Sequence, residues 1–154
     1  MVIDKFDGEY SFLSNFYPSP ISYEIDTDCF VIAQTVEHAF QAAKACSTLD
    51  ESWVLQAKTP GEAKRRGRSI YLNPKWEEYK EDAMLHFLRE KFAIPELRDK
   101  LLATGDAILI EGTTWHDNYW GVCSCDRCGG RGKNRLGTLL MKVREELRDN
   151  ELSQ

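Results

Sequence analysis

The sequence predicts a helix-rich α+β fold in one compact domain with a few short strands, and three observations point there. Four segments carry apolar residues at helical spacing with recognisable starts and stops. Two short β-prone runs bracket an acidic turn, and one further run, "AILIE", reads as a strand. The chain has 154 residues, 42% of them hydrophobic and 11% aromatic, which suits a single core; no Pro/Gly/Ser linker, repeat or low-complexity tract divides residues 1–154.

The elements follow in order. Ile21 to Ile32 contains two β-prone runs around Asp26, Thr27 and Asp28, the pattern of a hairpin. A short helix begins near Val36. In "TPGEAKRRG", Thr59 caps a helix, Pro60 takes its first position, Glu62 closes a capping box and Gly67 stops it. Asn73 and Pro74 open a longer helix in which Trp76, Tyr79, Ala83 and Phe87 recur at helical spacing until Ile94 and Pro95. Another runs from Pro95 through Leu97, Leu101 and Leu102 to Thr104 and Gly105. The last starts near Asn134 and places Leu136, Leu139, Leu140, Val143 and Leu147 on one face.

Composition excludes several classes. No apolar run approaches the roughly 20 residues that span a bilayer, and the start, "MVIDKFDGEY", lacks the pattern of a signal peptide, so a soluble cytoplasmic protein with no membrane contact is expected. A formal charge of −5 argues against general affinity for polyphosphate while leaving room for local basic clusters. Five cysteines without a signal peptide suggest thiols or metal ligands rather than a disulfide framework. No Gly-x-Ser-x-Gly elbow, Walker A loop or dinucleotide fingerprint is present.

Chemistry concentrates in a few places. In "TVEHAFQAAK", Gln41 lies roughly 40° around the helix from Glu37, and Lys44 roughly 20° on the other side, so acid, amide and amine form one row beside Val36, Phe40 and Ala43. In "FLSNFYPSP", aromatic residues surround Ser14 and Asn15, as a loop that stacks a flat ligand or as a packed turn. In "TTWHDNYWG", two indoles, a phenol and Asp117 are awkward as pure core and favour ligand binding. Lys64, Arg65, Arg66 and Arg68 form one basic stretch. Arg127, Arg131, Lys133 and Arg135 form another around Gly129, Gly130 and Gly132, where the following helix would present its positive end to a phosphate; a solvated turn is the more frequent explanation of such a loop. His38 and His86, each alone on a helix, read as core or surface residues.

"CSCDRCGGRG" has the spacing of a zinc clip at Cys125 and Cys128. Cys123 and His116 could complete a set of four, but tight local loops rarely let four donors converge; a thiol loop without metal is the expectation.

The blocks "FLSNFYPSPI", "TVEHAFQAAK", "AKTPGEAKRRGR", "NPKWEEYKEDAMLHFLREKF", "LLATGDAILIEGTTWHDNYWG" and "GKNRLGTLLMKVREEL" occur in the order of the NADAR family and its YbiA-like N-glycosidases. The resemblance spans roughly Phe6 to Leu147. It implies a compact α+β fold that cuts an N-glycosidic bond to a ribose, without a cofactor. The implied substrates are phosphoribosylamino-pyrimidine intermediates of riboflavin synthesis or ADP-ribose carried on guanine, in a nucleotide or in nucleic acid. Glu37, Lys44, Trp76, Asp117, Trp120 and Asn134 match family motif positions. On that basis Glu37, Lys44 and Asp117 are expected to be catalytic, and Ser14, Asn15, Gln41, Trp76, Trp120, Gly132 and Asn134 to bind substrate. The cysteine loop departs from the glycine-rich linker of YbiA-like members. Two readings from other classes stay open: a module that binds ADP-ribose or a nucleotide without cutting it, and a zinc-stabilised nucleic-acid adaptor.

Overall fold

The computed structural model describes residues 1–153 and places six α-helices, a 3-10 helix and six short strands along the chain. They form two compact units, one from Met1–Ser14 together with the chain from Phe92 onward, the other Asn15–Lys91.

The Asn15–Lys91 unit begins with the hairpin. Strands β2 (Ile21–Asp26) and β3 (Cys29–Ala33) pair antiparallel from Ile21 opposite Ala33 to Asp26 opposite Cys29; the first strand, β1, belongs to the other unit. Ile21 and Tyr23 point inward while Ser22 and Glu24 face solvent, the alternation that holds register. The turn is Thr27 and Asp28, with Asp28 at a φ of 56° and its N–H donated to Glu24. Helices α1 (Val36–Ala43), α2 (Thr48–Leu55) and α3 (Pro60–Gly67) follow, and both α2 and α3 pack on α1. Each starts at a side-chain cap: Thr35 accepts from the His38 N–H, Ser47 from Asp50 and Thr59 from Glu62. Helix α4 (Trp76–Phe92) supplies Met84, Phe87 and Leu88 to the core, with Phe87 stacked on Tyr23 at 5.8 Å.

The other unit pairs β1 (Val2–Ile3) in parallel with β4 (Ile108–Leu109), and β5 (Gly112–Thr113) in parallel with β6 (Val122–Cys123). The 3-10 helix (Gly8–Leu13) packs on α5 (Pro95–Ala103), and α5 on α6 (Arg135–Leu152). Leu136, Leu139, Leu140 and Val143 are buried along α6, as their spacing predicts, whereas Leu147 is only half-buried. "AILIE" contributes two strand residues, not five, because only Ile108 and Leu109 find a pairing partner in β1. Among the described residues no helix is long and apolar enough to cross a membrane.

Candidate active site

Helix α1 is short and buried on nearly every side; Glu37 and Gln41 of its polar row are buried with it, and Lys44 is half-buried. Thr35 caps it twice over: its hydroxyl accepts the His38 N–H at 3.1 Å and lies 2.9 Å from His38 Nδ1. Nε2 of His38 stands 2.9 Å from the Ala57 carbonyl, so a neutral ring donating there and accepting from Thr35 satisfies both nitrogens. His38 is therefore a structural residue of the core.

Glu37 is 7% exposed and Gln41 4%. Gln41 donates Nε2–H to Glu37 Oε1 at 2.7 Å, which fixes both side chains. The other end of the amide, Gln41 Oε1, is buried with no hydrogen-bond partner. Gly67 of α3 presses against that atom; a Cβ there would sit 2.1 Å from Gln41 Oε1. The carbonyl of Asn15 accepts the Glu37 N–H at 3.1 Å and so ties the preceding loop to the start of α1. Asn15 repeats the pattern of Gln41: Nδ2 donates to Met84 Sδ at 3.6 Å, and its buried Oδ1 has no partner. Two amide oxygens within this one unit thus lack a donor, a costly state that a hydroxyl-bearing ligand would relieve.

Lys44 closes the helix as its C-cap residue. Its ammonium lies 5.7 Å from the centre of the Phe40 ring, and Phe40 in turn packs on buried Trp76 at 5.1 Å. Desolvation holds the Lys44 pKa below the ordinary lysine value; Glu37 opposes this, and Lys64, Arg68 and Lys80 reinforce it. The basic stretch on and just past α3 supplies two of those three cations, Lys64 and Arg68. Lys80 was not singled out by sequence, since nothing in its own segment of α4 marks it.

The second set of expected residues lies in the unit containing the loop from Thr113 to Cys123. Asp117 uses Oδ1 to accept the N–H groups of Tyr119 and Trp120, at 3.3 and 3.0 Å, and its carbonyl accepts from the Thr113 hydroxyl. Its carboxylate therefore shapes the loop. Trp120 is half-buried and meets Tyr119 edge to face at 4.9 Å. Ser14, half-buried, ends the 3-10 helix.

Asn134, expected to bind substrate, uses its side-chain amide on backbone of its own unit. Asn134 sits at a φ of 51° and clamps two backbone positions: Nδ2 donates to the Leu109 carbonyl at 2.9 Å, and Oδ1 accepts the Glu111 N–H at 3.0 Å. The first N–H groups of α6, from Arg135 and Leu136, are taken by the carbonyls of Tyr119 and Trp120. The positive end of α6 is thus occupied by backbone. Gly132 is required by close approach, since a Cβ there would lie 2.1 Å from the Gly121 carbonyl.

The thiol loop also departs from expectation. His116, Cys123, Cys125 and Cys128 do converge, with all four donor atoms within 4.8 Å of one another. Against burial, which raises it, hydrogen bonds from the Cys125 backbone and thiol bring Cys123 down to about 6; its hydrogen bond to Cys123 and then burial push Cys128 up to about 11.

A model of the NADAR domain matches residues 3–148. The chain belongs to the NADAR family. It is 42% identical to the N-glycosidase YbiA of Escherichia coli K12 over 142 residues, 90% of this chain and 82% of that one. An N-glycosidase of Nostoc punctiforme is 36% identical over 91% of this chain and 87% of its own. A riboflavin biosynthesis protein of Vibrio vulnificus is 35% identical over 94% of this chain, but over 37% of its own length. The solution structure of Escherichia coli YbiA superimposes with a TM-score of 0.81 at 38% identity, covering 99% of this chain and 89% of that one. The helix-rich α+β architecture is therefore that of a NADAR protein. The NADAR chain brings together Asn15, Glu37, Gln41, Lys44 and Trp76 in one unit, and Asp117, Trp120, Gly132 and Asn134 in the other.

Proposed function

We propose that this NADAR protein is an N-glycosidase that cleaves the bond between a base and a phosphorylated ribose, with Lys44 as nucleophile and Glu37 as proton carrier. The observation that carries this reading is the α1 row: a buried carboxylate held by Gln41, an amide oxygen beside it without a donor, and an amine whose pKa is lowered by desolvation.

In the proposed reaction the neutral amine of Lys44 attacks C1′ as the C1′–N bond to the base breaks; the departing nitrogen takes the bonding pair, and Glu37 carries to it the proton that the lysine nitrogen gives up. Ring opening then places a proton from solvent on the ring oxygen and leaves a protonated imine between C1′ and Lys44. Water adds to that carbon and expels the amine, returning free sugar, the neutral lysine and the proton borrowed from solvent. Glu37 also stabilises the positive charge that builds on the sugar in the first step. Asn15 Oδ1 and Gln41 Oε1 would accept ribose hydroxyls, and Lys64, Arg68 and Lys80 suit the phosphate that both family substrates share. Trp76, behind Phe40, walls the site rather than stacking on it.

Two substrates fit this chemistry: ADP-ribose on guanine, in a nucleotide or in nucleic acid, and a phosphoribosylamino-pyrimidine. Mass spectrometry of products from both, run side by side, is the test. Release of free base from either supports the proposal; intact substrate in both, with measurable binding, would leave a binding module.

A further inference from the structure

We infer that His116, Cys123, Cys125 and Cys128 form a structural zinc site that pins the basic loop from Arg127 to Lys133. The inference is independent of the glycosidase reading.

The four donor atoms lie close enough to one another to share a single ion. With zinc–sulfur bonds of about 2.3 Å and zinc–nitrogen bonds of about 2.0 Å, neighbouring nitrogen and sulfur donors of a tetrahedral site stand about 3.5 Å apart. His116 Nδ1 lies 3.2 Å from Cys125 Sγ and 3.5 Å from Cys128 Sγ. No pair of the four donors is more than 4.8 Å apart, so closing on an ion requires only small side-chain shifts.

The backbone is arranged for the same end. Cys123 is held in β6, opposite Thr113 of β5 on one side and bridged to Arg131 on the other. Cys125 and Cys128 flank a tight turn in which Cys125 accepts the N–H groups of Cys128 and Gly129 at its carbonyl, and Gly129 and Gly130 take φ of 61° and 81°. Backbone N–H groups point at two sulfurs: His116 N–H at Cys123, 3.3 Å, and Cys128 N–H at Cys125, 3.4 Å. Such bonds favour thiolates, the form that binds metal. His116 itself adopts a φ of 66°, an uncommon conformation for a residue with a Cβ, and it directs the ring to the thiols.

Three thiolates and one imidazole make a closed donor set, which suits zinc and leaves no position for a reacting water. Binding would release the thiol protons to solvent and leave a formal charge of −1 on the complex. Arg127, Arg131 and Lys133 lie close by, lining a cleft of about 710 Å³ with His116 and Asn118. Arg131 is already tied to the turn, donating to the carbonyls of Cys128 and Arg127. The ion would fix the turn that carries these cations, where a metal-free loop would leave them to the glycines.

The test is metal analysis of the full chain, expressed with zinc and purified through a brief chelator wash. The expected result is about one zinc per chain, and on replacement by cobalt(II) the absorption of a tetrahedral thiolate complex. Cys125→Ser and His116→Ala should each weaken zinc binding at least about 100-fold. Cys29→Ser and Cys46→Ser, at exposed thiols outside the cluster, should leave metal content unchanged. If the cluster variants fail to fold, the cobalt spectrum of the native chain still decides. Substoichiometric metal with no thiolate–cobalt absorption, or a disulfide between two of the three cysteines, would overturn the inference.

Discussion

Glu37 occupies a position where an ionised carboxylate is expensive, buried on α1 with Gln41 Nε2 at 2.7 Å. A purely structural residue there would be better replaced by an amide, which keeps the hydrogen bond without the charge. We therefore expect Glu37→Gln to fold with a nearly unchanged melting temperature, bind ligand within a few-fold, and lose turnover by at least about 100-fold. Near-native turnover would assign the carboxylate to packing alone. Lys44 yields a prediction in pH. Its pKa lies below the ordinary value, and the amine must be neutral to attack, so kcat/KM should rise with pH and level off above that lowered pKa. Lys64 and Arg68 both lower it. Removing either positive charge, as in Lys64→Met, should raise the Lys44 pKa and move the rising limb to higher pH. A limb that stays in place would dissociate Lys44 from that ionisation. The row itself was legible because helical spacing alone aligns residues 37, 41 and 44. What spacing cannot convey is that Glu37 and Gln41 are buried, or that an amide oxygen on the row is left without a donor, since both depend on neighbouring segments.

At the scale of elements, α3 approaches α1 through Gly67, and the contact is tight enough to forbid a side chain. Gly67→Ala should cost roughly 1–3 kcal/mol by displacing Gln41, and it should lower turnover as well, because Gln41 then no longer holds Glu37. Thermal melting and kinetics on one sample check both. Asn134 tests a different role. Its amide links α6 to the backbone at Leu109 and Glu111, so Asn134→Ala should lose roughly 1–3 kcal/mol while the folded fraction keeps its affinity for a phosphorylated ligand. An unchanged melting temperature with weakened phosphate binding would instead assign Asn134 the substrate-binding role expected from the sequence. The capped helices were readable because Thr59, Pro60 and Glu62 announce α3 by local chemistry. Helix α2 has a cap, Ser47 at the Asp50 N–H, but no legible apolar stripe, since Leu49 is largely exposed. The two-residue strands β1, β5 and β6 have too little sequence to carry a period, and each exists only because a distant partner pairs with it.

For the molecule as a whole, one family model covers residues 3–148 and therefore spans both units. A single NADAR domain over the full chain is the reading we propose for that continuity. Six ordered sequence blocks were enough to identify the family, whereas the convergence of His116 with three cysteines required the fold, because no spacing rule places a histidine seven residues before Cys123 at a metal. Borohydride trapping is the decisive measurement for Lys44 as the nucleophile of an N-glycosidase. Borohydride added during turnover of ADP-ribosylated guanine nucleotide or of a phosphoribosylamino-pyrimidine should reduce the imine and fix the sugar on Lys44, located by peptide mass mapping. Lys44→Arg, which keeps the charge without the nucleophilic amine, should be inactive and unlabelled. Full activity in the arginine variant, or turnover of the native protein with no sugar trapped on Lys44, would contradict the account.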